Sequence, residues 1–213
     1  MKIGFHTFPP SDGKKEKQYV FLEAADGSKT FLRNILILKN ASDKDKIAIV
    51  HEWGAGPKHS WEPPKGQMEW KEFSESGVKA GSTISEKTLS AHQRRGVLRE
   101  MVEEAKFLPS EIQDLQKLPL VYKQEWVDSG LKNAHFMYQF WTATATPKAM
   151  FEAQARMKTL TDDPDWKAML PADMTEKDAV EWWNPEKDGW EKIRGAFSKK
   201  MTLLYFNSTK RLP

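Results

Sequence analysis

The segment Arg99-Glu100-Met101-Val102-Glu103-Glu104-Ala105-Lys106-Phe107 concentrates the residues of this chain best suited to chemistry. On a helix, Glu100, Glu103 and Glu104 fall at i, i+3 and i+4, which brings three carboxylates within about 6 Å of one another on one face. Carboxylates this close repel. Hard divalent cations such as Mg²⁺ relieve the repulsion by taking oxygen ligands, and they leave coordination positions for substrate phosphates. The competing reading is a solvated acidic face on which Arg99 pairs with Glu103 one turn away. Val97, Met101 and Ala105 recur at i, i+4 and i+8 on another face, the pattern of a helix pinned to a core.

Upstream, Trp61-Glu62-Pro63-Pro64-Lys65-Gly66-Gln67-Met68-Glu69 ends a strand region in a turn whose glycine lets backbone approach a ligand or metal. Together the two segments resemble the Nudix hydrolase family, whose box runs Gly, five residues, Glu, seven residues, Arg-Glu, apolar, any, Glu-Glu, any, Gly, apolar. Gly66 and the segment from Arg99 to Phe107 supply most of it, and the resemblance extends from about Phe31 to Phe107. Gly66 and Arg99 stand 33 positions apart, where the box spaces them by about 14, so about 19 residues are inserted. Counting back from Arg99 places Ala91 where the first box glutamate belongs, with Glu86 as a candidate substitute, and Lys106 takes the place of the closing glycine.

The resemblance implies the Nudix fold, an α/β architecture in which a mixed β-sheet is sandwiched between helices, here with an inserted loop in the box. It also implies metal-assisted hydrolysis of a diphosphate linkage in a nucleoside diphosphate joined to another group. In that scheme Glu100, Glu103 and Glu104 hold Mg²⁺ or Mn²⁺, the Lys65 carbonyl adds a ligand, Gly66 keeps the turn close, and Arg99 orients the glutamates. The general base stays open among Glu100, Glu103, Glu125, Asp162, Asp163 and Glu181. Pro64-Lys65-Gly66 resembles members acting on dinucleoside polyphosphates, diphosphoinositol polyphosphates or capped RNA. Trp53 and Trp61, with Trp182 and Trp183, are the expected base-stacking residues, and a nucleotide, polyphosphate or capped-RNA substrate is the expected partner. An mRNA-decapping or dinucleotide hydrolase leads this reading. A diphosphoinositol polyphosphate hydrolase and a catalytically silent nucleotide- or RNA-binding module of the same fold are the alternatives.

Composition sets wider bounds. At 213 residues the chain suits one domain with elaborations: an irregular arm over 1–17, and one domain over 18–213 with an inserted loop at 70–89. Zero cysteines exclude disulfides and thiolate metal sites, and no apolar leader or membrane-length run occurs, so a cytoplasmic protein without a membrane partner is expected. His51, His59, His92 and His135 show no zinc-ligand spacing. The net charge of +3 permits attraction to polyphosphates or RNA, and nine tryptophans are either stacking groups or core filler.

The elements that must position the carboxylates follow from periodicity. Gln18 to Ala24 and Lys29 to Asn40 read as a hairpin around Asp26-Gly27, and Ile47 to Trp53 as the next strand. Trp70 to Leu89 has no clear period and reads as a lid or specificity loop whose Lys71, Lys79 and Lys87 could meet phosphates. A helix runs from Ser90 through Glu104, and Gly96 within it implies close packing. Ser110-Glu111 opens a short helix, Leu120 to Val127 is a strand, Asp128-Ser129-Gly130 turns it, and Ala134 to Thr146 is a central strand. Pro147 to Leu160 reads as a helix and Ala179 to Trp183 as a strand. The last helix spans Gly189 to Phe206, with Trp190, Ile193, Phe197, Met201 and Leu204 on its packing face.

Overall fold

The computed structural model describes residues 1–8, 16–127, 131, 133–163, 165, 170 and 174–209. Its strands are β1 (Lys2–Phe8), β2 (Lys17–Glu23), β3 (Lys29–Asn40), β4 (Ile47–Glu52), β5 (Trp61–Glu62), β6 (Lys65–Gln67), β7 (Ile112–Glu125), β8 (Ala134–Ala145) and β9 (Lys177–Trp183). Its helices are α1 (Lys71–Ser74), α2 (Glu86–Ala105), α3 (Pro147–Asp162) and α4 (Gly195–Thr209). The turn expected at Asp128-Ser129-Gly130 lies outside the described residues. Among the described residues no helix is long and apolar enough to cross a membrane.

β3 is the hub of a mixed sheet. It pairs antiparallel with β2, β4 and β6, and parallel with β8 along its full length, from Lys29 opposite Ala134 to Asn40 opposite Ala145. The alternation of a strand explains the two cores on either side of it. Leu36 and Leu38 face Val97, Met101 and Ala105 of α2 and Ala149, Met150 and Ala153 of α3. Ile35 and Ile37 face the opposite way, toward Met201 and Tyr205 of α4. The expected sheet between helices is therefore present. β3 and β4 meet only at Lys39 opposite Ile47 and then diverge. The wedge so opened takes β6 on the β3 side and β5 on the β4 side, and its mouth is the cleft described below.

Four expectations need correction. Residues 2–8 of the expected irregular arm form β1, in register with β2 from Lys2 opposite Glu23 to Phe8 opposite Lys17; Ile3 is buried beside Val20, Leu22 and Leu32. The inserted loop at 70–89 is not a free lid. Trp70 and Phe73, either side of the first turn of α1, bury into that same cluster with Leu89, and Gly81 N–H donates to the Ile3 carbonyl at 2.7 Å. The box helix begins at Glu86 rather than Ser90, because the Ser85 hydroxyl caps it by accepting the Thr88 N–H at 3.1 Å. The last helix begins only at Gly195, so Trp190 and Ile193 precede it; Ile193 instead bridges Trp61 beside β5.

Candidate active site

α2 lies on β3 and β6 at the distance its small residue permits. A Cβ on Gly96 would come within 2.6 Å of the Met68 sulfur, so the glycine sets how closely the helix seats. One turn further along, the same economy operates at β6. A Cβ on Gly66 would sit 1.7 to 2.1 Å from the carboxylate atoms of Glu100. Glycine at 66 thus leaves room for the carboxylate where it lies, and its backbone angle is ordinary. The Lys65 N–H, adjacent to it, donates to Glu104 Oε2 at 2.8 Å. The helix ends where Lys106 takes the left-handed conformation, φ 60°, that the expected glycine would have taken. Its ammonium offsets that cost by donating to the carbonyls of Glu103 and Met174, and burial holds it down to about 8.

Arg99 is the organising cation. Its Nε donates to Glu72 Oε1 at 2.6 Å, Nη1 to Glu103 Oε2 at 2.5 Å, and Nη2 meets Glu100 Oε1 at 2.7 Å and the Gln67 carbonyl at 3.2 Å. Burial alone would favour neutral arginine, but these carboxylates outweigh it and raise its pKa. Glu72 was missed by counting back from Arg99, which led to Ala91 and Glu86. Ala91 is exposed, and Glu86 pairs with Lys117. Counting forward from Gly66 by the five-residue interval reaches Glu72 directly. The insertion therefore lies between Glu72 and Arg99, and α1 returns the glutamate to the arginine.

A second buried network sits beside the first. Glu62 accepts from Lys65 Nζ at 2.8 Å, Lys177 Nζ at 2.8 Å and Ser198 Oγ at 3.0 Å. Burial would raise its pKa, but Lys65 and Lys177 prevail and hold it at about 2. Lys177 Nζ also stands 3.6 Å from Glu104 Oε1. Burial nevertheless pushes Glu104 up, and it pushes Glu100 up further, reinforced by repulsion from Glu104, Glu103 and Glu72 against the pull of Arg99. Lys177, more than 70 residues beyond Glu104 in the chain, carried no sequence signal.

These groups line a cleft of about 570 Å³. Glu100, Glu103, Glu104, Arg99, Lys65, Gly66 and Trp53 all border it. Trp61 does not: it borders a separate pocket against α3 and lies 4.8 Å from the His51 ring. Trp183 is fully buried and Trp182 packs on the α2–α3 core. Of the other carboxylates considered as general base, Asp162 and Glu181 border the Trp61 pocket, Asp163 ends α3, and Glu125 ends the outer strand β7. Glu52, Glu69, Tyr19, Arg33 and Arg194 border the cleft and were not anticipated. Among the described residues no three acidic or histidine side chains converge at the spacing of a metal-ligand set; in this structure Arg99 holds Glu100 and Glu103, and Glu104 turns to Lys65 and Lys177.

Solved structures similar to this chain include Nudix proteins. A Nudix hydrolase from Nitrosomonas europaea shares 16% identity at a TM-score of 0.46, over 87% of this chain and 93% of that one. Ap4A hydrolase from C. elegans shares 16% at 0.39, over 86% and 98%. The Nudix domain of Shewanella oneidensis NrtR, solved with ADP-ribose, shares 12% at 0.46, over 90% and 94%. No family model and no curated protein matches the chain.

Proposed function

We propose that this chain is a Nudix pyrophosphohydrolase that cleaves a diphosphate linkage in a nucleoside diphosphate joined to a second moiety, of the dinucleoside polyphosphate or mRNA-cap type. The observation that carries the reading is the latch of Glu72 on Arg99, with Glu100 and Glu103 on the same guanidinium and Gly66 beneath Glu100. With Glu72 in place, every charged position of the box is filled, and the insertion adds length without removing a functional group.

The donor chemistry suits a hard divalent cation, and the side chains must turn from Arg99 and Lys177 to meet it. Glu100, Glu103, Glu104 and the Lys65 carbonyl are an all-oxygen donor set, and the burial that raises Glu100 and Glu104, with carboxylate repulsion added at Glu100, is what a cation would offset. Mg²⁺ or Mn²⁺ held there supplies charge neutralisation at phosphorus and acidifies water. Arg99 orients Glu100 and Glu103. Lys65 and Lys177 keep Glu62 ionised beneath the cleft, and their charge limits the repulsion felt by Glu104 and by an incoming phosphate. Proton removal from water falls to a carboxylate bordering the cleft, which leaves Glu100 and Glu103 of those considered and adds Glu52, Glu69 and Glu176.

The test is incubation with Mg²⁺ or Mn²⁺ and a panel of diadenosine polyphosphates, ADP-ribose, nucleotide sugars, NADH, capped RNA and inositol pyrophosphates. Cleavage of at least one nucleoside-containing member is expected, with turnover lower by about two orders of magnitude or more in Glu103→Gln. Cleavage unchanged in that variant would reject the site, and binding without cleavage would establish the silent module.

A further inference from the structure

A row of side chains crosses one face of the sheet beside the cleft. Tyr19 stands opposite Glu69, Gln67 opposite Arg33, Arg33 beside Tyr138, and Tyr138 opposite Tyr122. Gln67 and Glu69 are two residues apart and share a face. At the far end α4 closes the row: Phe197 lies 4.8 Å from the Tyr138 ring and Lys200 Nζ donates to the Tyr122 hydroxyl at 2.8 Å. At the near end Tyr19, Gln67 and Arg33 border the cleft.

Arg33 is held in this row by its donors and by the ring beneath it. Its Nε and Nη2 donate to Gln67 Oε1 at 3.3 and 3.0 Å, Nη1 donates to the Tyr138 hydroxyl at 3.3 Å, and the guanidinium carbon lies 4.1 Å from the centre of the Phe136 ring. Phe136 is itself stacked on Trp126 at 4.3 Å. The other cleft cations each have a carboxylate: Lys65 and Lys177 have Glu62, Lys17 has Glu69, Arg194 has Glu52, and Arg99 has several. Among the described residues none lies within ion-pair distance of Arg33. Gln67 adds a second unmet demand, because its Nε2 is buried without a hydrogen-bond partner. Such a group is stabilised by any ligand that brings an acceptor.

We propose that Arg33 and Gln67 form a shelf for the nucleobase of the substrate, with one face of the guanidinium on Phe136 and the other under the base, and with Gln67 Nε2 donating to the base edge. A planar guanidinium stacks on bases where an ammonium cannot. The proposal rests on the hydrolase reading of α2 and deepens it: the substrate carries a nucleoside, and an inositol, which has no aromatic face, is disfavoured. Gln67 ties the two regions together, since its side chain holds Arg33 while its carbonyl accepts from Arg99 at 3.2 Å.

The test compares two non-hydrolysable probes in the presence of Mg²⁺, α,β-methylene-ADP and methylenediphosphonate, which share the P–C–P unit and differ by the nucleoside. Calorimetric titration of the wild type should show the nucleotide probe bound at least about tenfold tighter, the scale of one stacked base. Arg33→Lys, which keeps the charge and loses the plane, should weaken the nucleotide probe by about tenfold and methylenediphosphonate by less than about twofold. Gln67→Met should act in the same direction, and thermal melts of both variants establish that they are folded. Equal weakening of both probes would make Arg33 a phosphate ligand and overturn the shelf. Wild-type binding without nucleoside preference would overturn it while leaving the hydrolase reading intact. Failure of both probes to bind the wild type would remove the hydrolase reading and the shelf with it.

Discussion

Among the described residues, the cleft and the pocket against α3 are both lined by carboxylates, and they differ in how those charges are paired. In the pocket against α3, of about 410 Å³, each carboxylate has its own partner: Asp162 has Lys158 at 2.5 Å, Asp178 has His51 at 2.5 Å, and Glu181 has Lys192 at 2.6 Å. In the cleft, Glu72, Glu100 and Glu103 share one guanidinium, with Glu69 4.0 Å away. The first arrangement is satisfied as it stands. In the second, one guanidinium serves three carboxylates, the arrangement a bound cation would relieve, while Glu69 has Lys71 at 2.8 Å and Glu62 has both Lys65 and Lys177. An acidic residue is thus informative by the number of fixed cations it must share, more than by its presence.

The largest expected effect concerns stability. Glu62 is depressed to about 2 from an ordinary 4.5, so its contribution is fully present above pH 4.5 and is lost as pH falls through about 2. That shift corresponds to about 3 kcal/mol. Glu62→Gln should lose it at neutral pH, because Lys65 and Lys177 are left with a neutral partner, and should flatten the acid dependence measured by urea denaturation. Glu181→Gln, in the other pocket, should shift stability by less than about 1 kcal/mol.

Next in size is Gly66→Ala. The added carbon collides with the Glu100 carboxylate and must displace it, so turnover should fall by about a hundredfold with the far-UV circular dichroism unchanged. Glu72→Gln should cost about ten- to a hundredfold in activity by loosening Arg99, whereas Glu86→Gln should cost nothing measurable; equal effects would return the latch to Glu86. The smallest effect is expected at Trp61→Leu, which lies outside the cleft and should change KM by less than about twofold, while Trp53→Leu, at the border of the cleft, should change it by more.

Much of this was legible in the sequence. Helical spacing put Glu100, Glu103 and Glu104 on one cleft, the Asp26-Gly27 turn signal gave the hairpin that contains β3, and aromatic, β-rich composition gave β8. What escaped depended on distance along the chain. Glu72 lay behind an insertion that looked unstructured because its apolar residues, Trp70, Phe73 and Leu89, are too sparse to show a period, yet they bury together with β1 and β2. Lys177 reaches the cleft only because β9 pairs with β4, and Arg33 reads as one of several polar residues in its strand until Gln67 and Tyr138 flank it. Trp61 misled because a one-residue step in a strand reverses the face: Glu62 points into the cleft and Trp61 away.

The central claim is that the carboxylates of α2 form a divalent-cation site, and it can be tested without knowing the substrate. Titration of Mn²⁺ into the protein, followed by electron paramagnetic resonance of the free ion, should show saturable binding to the wild type that weakens by at least about tenfold in Glu103→Gln and is unchanged in Glu181→Gln. Binding that is absent from the wild type, or that survives Glu103→Gln and disappears in Glu181→Gln, would contradict it.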